Sequence, residues 1–265
     1  MRVAPRRPAP QRGGPRLPHA WRKPATALLL CLLLVGACAR LPAEEARATP
    51  AASVAAWGFA SLSAHGLPLG SAVAVAPDRL LTSAHLLPEG VDRLWARRGD
   101  GLARAEAVVL ARSAAMDLAV LAVPPGLFEP VPLGPAPPHL GERLWALGSP
   151  AAGQAMAVGT VTMPAVVMPG RGQGFVARIG ALMGYSGGPA LDEQGRLRGL
   201  VTALPGGGGA VALAALTGMD LDGMARGSAG REVFFLSIAE AMAESERIAP
   251  AGRIPFTSFG TRQQP

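Results

Sequence analysis

One serine in this sequence lies in a frame suited to nucleophilic chemistry. Ser186 stands in the run Gly-Tyr-Ser-Gly-Gly-Pro at residues 184–189. Glycines on both sides let the backbone turn sharply and approach another molecule without a Cβ in the way. Such a turn can aim the N–H groups of Gly184 and Ser186 at one point, as a developing oxyanion requires. A lone run of this kind is equally typical of a glycine-rich surface loop, so the case depends on partners for the hydroxyl.

Two upstream segments carry residues that could be those partners. Residues 70–85 combine small and β-branched residues, a Pro-Asp turn and a second apolar run, which predicts a hairpin with His85 at its far end. Asp117 opens the apolar run 117–123. Taken singly, such a histidine is usually a core or surface residue, and such an aspartate usually starts a strand or a turn. Taken together, in the order His, Asp, Ser, they indicate one site.

That order and those frames resemble the motifs of the trypsin-like serine peptidases, which have the chymotrypsin fold. The matching segments are Thr-Ser-Ala-His at 82–85, Asp-Leu-Ala-Val-Leu at 117–121 and the glycine-rich run at 184–189. The compact spacing and Leu-Gly-Ser-Pro at 147–150 are most similar to the bacterial high-temperature-requirement (HtrA, Deg-type) branch. The resemblance covers residues 57–246. It implies an all-β fold of two antiparallel β-barrels with a short C-terminal α-helix.

The resemblance also implies a role for each site residue. Ser186 would attack the scissile carbonyl of a polypeptide, His85 would take and return the proton, and Asp117 would orient the imidazole. The N–H groups of Gly184 and Ser186 would form the oxyanion hole. Tyr185 replaces the aspartate of zymogen-forming relatives, so we expect no activation by N-terminal clipping.

By position, the family's pocket for the P1 side chain, just before the cut, falls on segments without charge. Gly180 stands six residues before the serine, where trypsin-like enzymes place an aspartate. We therefore expect a preference for small or medium apolar P1 residues, because burying an unpaired Lys or Arg is costly. The expected pocket residues are Gly180, Ala181, Leu182, Thr202, Ala203 and Leu204.

The basic charge of the chain is concentrated at its start. The chain has 265 residues and a formal net charge of +7. Seven of its 25 Lys and Arg residues precede residue 38, whereas all 18 Asp and Glu residues follow it. A basic balance would favour nucleic acid or an anionic membrane as partner. Here it belongs to the N-terminal segment alone, and we expect no nucleic-acid partner.

Residues 1–37 have the pattern of an export signal, with a basic start followed by an apolar run at 25–37. The run is shorter than the roughly 20 apolar residues of a membrane span. It ends in Val-Gly-Ala-Cys, which resembles the bacterial lipobox, and this predicts lipid attachment at Cys38 and a place on the periplasmic side of a membrane. An ordinary signal peptide cut at a nearby small residue is the alternative.

The rest of the chain divides by composition. Residues 38–54 have the composition of a flexible tether and residues 249–265 that of a polar tail. Between them, the resemblance implies a protease domain at 55–248. Within the domain, barrel 1 is expected at about 55–133 and barrel 2 at about 140–248, joined by a proline-rich linker at 132–139. The final barrel strand is expected at 211–216 and a helix at 237–248, capped by Ser237 with Glu240. We expect no peptide-binding PDZ module of the kind common in Deg-type proteases.

No metal or organic cofactor is expected, because no His, Cys or Asp cluster has ligand spacing. A catalytically silent protease fold that serves as a binding or chaperone lipoprotein is the main alternative function. An esterase with the same triad is a weaker one.

Overall fold

The computed structural model describes residues 51–150, 153–181, 183–203 and 231–252. Twelve strands in these ranges form two closed antiparallel barrels of six strands each. The fold expected from the resemblance, two antiparallel barrels followed by a short helix, is confirmed.

Barrel 1 has the strand order β1-β2-β3-β6-β5-β4. Its tight β1–β2 turn uses His65 and Gly66, both with positive φ (51° and 78°), as a two-residue hairpin of this hand requires. Small and branched residues, among them Ala72, Ala74, Leu80 and Leu121, fill its interior. The strands are β1 (Phe59–Ala64), β2 (Leu67–Ala76), β3 (Arg79–Thr82), β4 (Arg93–Arg98), β5 (Arg104–Arg112) and β6 (Ala119–Ala122).

Barrel 2 repeats this order, since its closed circuit β10-β11-β12-β9-β8-β7 matches barrel 1 strand for strand. Its core includes Phe175 and Phe235, whose rings stack with centroids 5.1 Å apart. The strands are β7 (Arg143–Gly148), β8 (Ala155–Met168), β9 (Gly172–Ile179), β10 (Pro189–Leu191), β11 (Leu197–Ala203) and β12 (Arg231–Ser237).

A third apolar cluster fills the seam between the barrels. Barrel 1 contributes Val73, Leu81 and Leu118, and barrel 2 contributes Leu147 and Leu200, all fully buried. Two helices pack on the same cluster, α1 (Ala51–Trp57) and α2 (Ile238–Ile248). The seam is therefore apolar in its depth, and the loops that border it carry the polar residues of interest.

Three local expectations need correction. Helix α1 begins at Ala51, inside the segment expected to be a tether, because Ala51 and Val54 pack into the seam cluster. Ser237 is the residue before α2, but its side chain makes no capping hydrogen bond. Strand β12 was not expected. The strand expected at 211–216 lies outside the described residues.

Within the described ranges, no helix has both the length and the apolar character of a membrane span.

Candidate active site

The loop that carries Ser186 joins β9 to β10, and two of its glycines are sterically required. Gly184 has φ +94°, and a Cβ there would lie 2.5 Å from the carbonyl oxygen of Ser149. Gly187 has φ +79°, and its Cβ would lie 2.2 Å from the carbonyl oxygen of Ser71. At both positions, any residue with a Cβ would be strained by the positive φ and would clash with the nearby backbone. The glycine pattern that marked this run in the sequence thus reflects its packing.

Strand β2 of barrel 1 holds this loop in place. The Ser71 hydroxyl donates to the carbonyl oxygen of Gly184 at 2.7 Å, and the Ser71 N–H donates to the carbonyl oxygen of Ser186 at 3.0 Å. From barrel 2, the N–H of Gly187 donates to the carbonyl oxygen of Val201 at 2.7 Å. Both barrels therefore fix the position of the serine.

The N–H groups of Gly184 and Ser186, predicted as oxyanion donors, take part in no hydrogen bond with the described part of the chain. Their carbonyl groups, in contrast, are both engaged by Ser71. The loop thus has two backbone donors without a described partner on either side of Tyr185.

His85 and Asp117 are in direct contact. His85 lies in a 3-10 turn (Ala84–Leu86) after β3, and Asp117 lies just before β6, the strand paired with β3. The His85 ring Nδ1 is 2.7 Å from Asp117 Oδ2, and the His85 backbone N–H donates to Oδ1 at 2.9 Å. The carboxylate is 6% exposed and the imidazole 40% exposed. The pair joins a buried acid to a base that solvent can reach.

Asp117 remains ionised despite its burial. Burial alone would raise its pKa, but hydrogen bonds and charge from His85, together with the charge of Arg171, outweigh it and hold the pKa of Asp117 below its ordinary value. An ionised, hydrogen-bonded carboxylate fixes both the orientation and the tautomer of the ring.

Ser186 lies close to the segment that carries His85. A Cβ built at Gly70 would lie within 3.0 Å of both the Leu86 side chain and the Ser186 carbonyl oxygen, so these two neighbours nearly meet across Gly70. Between His85 and Ser186, both described, the structure has no hydrogen bond. In free enzymes such contacts are often long and tighten once substrate is bound.

The structure adds two arginines that sequence reasoning missed. Arg171 lies in the turn between β8 and β9, and its Nη1 donates to Asp117 Oδ2 at 2.7 Å and to the carbonyl oxygen of Thr202 at 3.0 Å. Arg231 opens β12, and its Nε donates to the carbonyl oxygen of Ala181 at 3.1 Å. These contacts join residues far apart in sequence, and neither arginine lies in a sequence pattern that signals them.

The predicted pocket residues occupy the ends of two strands. Ala181 is buried, whereas Gly180 is exposed, and a Cβ at position 180 would meet no described atom within 4 Å. Thr202 is 1% exposed, and its hydroxyl has no partner among the described residues. Ala203 ends β11, while Leu182 and Leu204 lie outside the described residues. Arg231 donates to the carbonyl oxygen of Ala181, and the uncharged pocket stays a prediction.

Tyr185 fills a place beneath the serine loop. It is 3% exposed, and burial raises its pKa to about 12. Its ring lies directly over Gly148, where a Cβ would be 2.3 Å from a ring carbon. The glycine of the Leu-Gly-Ser-Pro segment thus makes room for this tyrosine.

Among the described residues there is no group of three or more His, Cys, Asp or Glu side chains that could hold a metal ion. The groups that the described site offers for chemistry are a serine, an imidazole, a carboxylate and backbone N–H groups.

Comparisons with known proteins agree with this geometry. Residues 70–200 match the family model of the trypsin-like peptidase domain. No curated protein matches the sequence.

Several solved structures share the fold. The active form of the Rv3671c protease from M. tuberculosis is 21% identical with a TM-score of 0.59, and the match covers 76% of this chain and 85% of that one. The HtrA-type protease AlgW, solved with a decapeptide, is 24% identical with a TM-score of 0.60, covering 77% and 67%. A serine endoprotease from Yersinia pestis is 20% identical with a TM-score of 0.58, covering 77% and 67%.

The matched family model, the two six-stranded barrels and the contact between a buried aspartate and a histidine lead to one conclusion: residues 70–200 of this chain carry a trypsin-like peptidase domain.

Proposed function

We propose that this chain is an exported, lipid-anchored endopeptidase that hydrolyses peptide bonds through His85, Asp117 and Ser186. The observation that carries the proposal is the double contact of Asp117 with His85, through the ring Nδ1 at 2.7 Å and the backbone N–H at 2.9 Å. An imidazole held in this way donates from Nδ1 and keeps Nε2 as an acceptor for a proton.

The residues divide the reaction between them. Ser186 Oγ attacks the scissile carbonyl carbon as its proton passes to His85 Nε2. The N–H groups of Gly184 and Ser186 stabilise the oxyanion. His85 then gives the proton to the leaving amine, and an acyl-enzyme remains on Ser186. Water, activated by His85, hydrolyses that ester and restores the free serine.

An activity-based probe tests the proposal against a silent fold. A fluorophosphonate should label the wild-type chain and leave Ser186→Ala unlabelled. Hydrolysis of an unfolded protein by the wild type then separates a peptidase from an esterase. Absence of labelling in the folded wild-type chain would support the binding or chaperone alternative.

Substitution within the triad supplies the quantitative test. Ser186→Ala, His85→Ala and Asp117→Asn should each lower kcat by about three orders of magnitude or more, and double variants should lose little further, because the three residues act as a unit. Each variant should keep the thermal unfolding profile of a folded domain. Turnover retained by purified Ser186→Ala would contradict the assignment.

We propose a small or medium apolar P1 preference. It is supported by Ala181, Leu182, Ala203 and Leu204 in the predicted pocket walls and by glycine at position 180. Discrimination among apolar side chains should be weak, since each methylene is worth about 1 to 3 kcal/mol.

Cleavage-site profiling of the wild type on an unfolded protein tests this preference. Apolar residues that dominate at P1 would support it, whereas dominant Lys, Arg, Asp or Glu at P1 would contradict the pocket assignment.

For anchoring, the proposal rests on the lipobox-like run that ends at Cys38, which lies outside the described residues. Cys38→Ala should move the protein from the membrane fraction to the soluble exported fraction and leave peptidase activity intact. Membrane association that survives this substitution and washing without detergent would contradict the anchor.

A further inference from the structure

The turn between β8 and β9 reaches from barrel 2 to the two candidate triad residues of barrel 1, His85 and Asp117. Its last residue, Arg171, places Nη1 2.7 Å from Asp117 Oδ2 and 3.0 Å from the carbonyl oxygen of Thr202. The Arg171 side chain is 34% exposed, whereas its carboxylate partner is 6% exposed. One guanidinium nitrogen therefore joins the buried acid of barrel 1 to strand β11 of barrel 2.

Backbone packing holds this turn in position. The N–H of Arg171 donates to the carbonyl oxygen of Met168 at 2.9 Å, which closes the turn. The next residue, Gly172, has φ +92°, and a Cβ there would lie 3.1 Å from the Cβ of Met116 and 3.0 Å from the side chain of Leu236. The turn is thus seated against the residue that precedes Asp117, and the reach of Arg171 follows from that seating.

The two oxygens of the Asp117 carboxylate have different numbers of hydrogen-bond partners. Oδ1 accepts the backbone N–H of His85 at 2.9 Å. Oδ2 lies 2.7 Å from both the His85 ring Nδ1 and Arg171 Nη1. The imidazole and the guanidinium therefore share one oxygen, and two donors on one oxygen at this distance are about 5 Å apart or less.

The charged groups around this oxygen come from both barrels. Asp117 is paired with His85, which also belongs to barrel 1, and with Arg171, which belongs to barrel 2. Glu244 of α2 reaches the loop before Asp117 through the hydroxyl of Ser113, and its charge is paired with Arg247. The other residues adjacent in sequence, Met116 and Leu118, are uncharged. Arg171 is thus the permanent positive charge at the shared oxygen.

We propose that Arg171 is a positioning residue of the triad, which holds the Asp117 carboxylate against β11 and, by sharing Oδ2 with the His85 ring, sets a permanent charge against the imidazolium that forms during the reaction. The inference rests on the proposed function of the triad. When His85 takes the proton of Ser186, its ring becomes a cation beside the guanidinium. Arg171 opposes that charge, so replacing it with a neutral residue should favour the protonated ring. Arg171 itself neither gives nor takes a proton.

An NMR titration of the His85 ring tests the electrostatic part without any need for turnover. The ring signals would be followed in the full-length Ser186→Ala protein with Arg, Gln or Lys at position 171, and assigned with His85→Gln. Arg171→Gln should raise the titration midpoint by about 0.5 to 1 pH unit, a shift reduced by solvent screening from the full Coulomb value for two charges this close. Arg171→Lys keeps the charge and should restore most of the midpoint. Arg178→Gln, an exposed arginine on β9, is the matched control and should leave it unchanged.

The pH profile of kcat/KM tests the same idea in the active chain. Arg171→Gln should move the acid limb upward by the same amount and lower kcat about tenfold at its plateau, with KM changed less than about twofold. In the Asp117→Asn background, Arg171→Gln should lower kcat no further, because its positional effect acts through the carboxylate.

The outcomes separate this inference from the proposed function. Wild-type protein that neither binds fluorophosphonate nor cleaves peptides would refute the triad function. The NMR titration would still test the effect of Arg171 on the His85 ring in that case. An active wild type in which Arg171→Gln moves neither the His85 midpoint nor the acid limb refutes the inference alone. An Arg171→Gln protein with lower KM and higher kcat/KM at neutral pH also refutes it, because the arginine would then obstruct the substrate at Thr202.

Discussion

The hydroxyl of Ser71 donates to the carbonyl oxygen of Gly184 at 2.7 Å and accepts the N–H of Ser149 at 3.0 Å. Ser71 belongs to β2 of barrel 1, whereas Gly184 and Ser149 belong to loops of barrel 2. Ser71 is fully buried, so water does not compete for these bonds. A single hydroxyl thereby fixes the serine loop of one barrel against a strand of the other.

Ser71→Ala should lower kcat about tenfold with little change in KM, because the Gly184 carbonyl is released while the substrate-binding surface remains. Loss of the buried bonds should also lower the free energy of unfolding by about 1 to 3 kcal/mol. Steady-state kinetics and urea unfolding measure the two effects. Ser61→Ala, on the neighbouring strand with only a 3.5 Å bond to the Arg97 carbonyl, is the control. A kcat equal to that of the wild type would show that Ser71 does not position the loop.

Tyr185→Asp should give no gain in activity and should destabilise the domain. The ring packs on Gly148 and is 3% exposed, so an aspartate there would leave a cavity and a buried charge without a described partner. Tyr185→Phe keeps the packing and should retain most activity. Thermal unfolding and peptide cleavage before and after N-terminal clipping measure this. Activity that appears only after clipping between residues 38 and 57 would contradict it.

Glu244 links α2 to the loop before Asp117, and we expect its contribution to depend on pH. Hydrogen bonds from Arg247, opposed by burial and aided by Ser113, hold the pKa of Glu244 below its ordinary value. A group with a depressed folded-state pKa stabilises the fold above its unfolded-state pKa, and this stabilisation is lost as the pH falls through the folded value.

Glu244→Gln should therefore lower the free energy of unfolding at pH 7, and the difference from the wild type should shrink below about pH 4.5. Urea unfolding between about pH 3 and 7 measures the trend. Glu193→Gln, at an exposed site with no ion pair among the described residues, is the control. A destabilisation that stays constant across this range would mean that the ionised form of Glu244 is not what stabilises the fold.

Arg79 fastens the end of α2 to barrel 1. It is 8% exposed and donates to the carbonyl oxygens of Ala249 and Pro250. Arg79→Met should lower the free energy of unfolding by about 2 to 4 kcal/mol, because two charge-assisted hydrogen bonds are lost. Arg97→Met, which removes an exposed arginine bound to the Gly101 carbonyl, should change it by less than about 1 kcal/mol. Equal effects of the two variants would contradict this role for Arg79.

Local patterns predicted much of the fold. The hairpin ending at His85 was readable because small and branched residues flank a Pro-Asp turn, and β2 and β3 form there. Strand β12 was not predicted from the sequence because four of its residues are all fully buried: Val233, Phe234, Phe235 and Leu236. A strand buried on both faces has no period-two alternation to reveal it.

The candidate site was predictable only where its residues stand in local motifs. His85, Asp117 and Ser186 each occupy a distinctive frame, whereas Ser71 and Arg171 reach their partners across the seam. Arg171 lies 54 residues from Asp117 in sequence, and a Gly-Arg-Gly turn is an ordinary hairpin end. Contacts of this kind depend on how the two barrels dock, which no periodicity along the chain encodes.

The apolar seam has a mechanical consequence. Each sheet closes on its own hydrogen bonds, so a small rotation of one barrel against the other would leave both sheets and every side chain intact. The bonds from Ser71 to the serine loop and from Arg171 to Asp117 would nevertheless separate. A misplacement of about 1 Å can cost about a hundredfold in rate. A tilt of one barrel against the other would therefore stop hydrolysis without unfolding the protein.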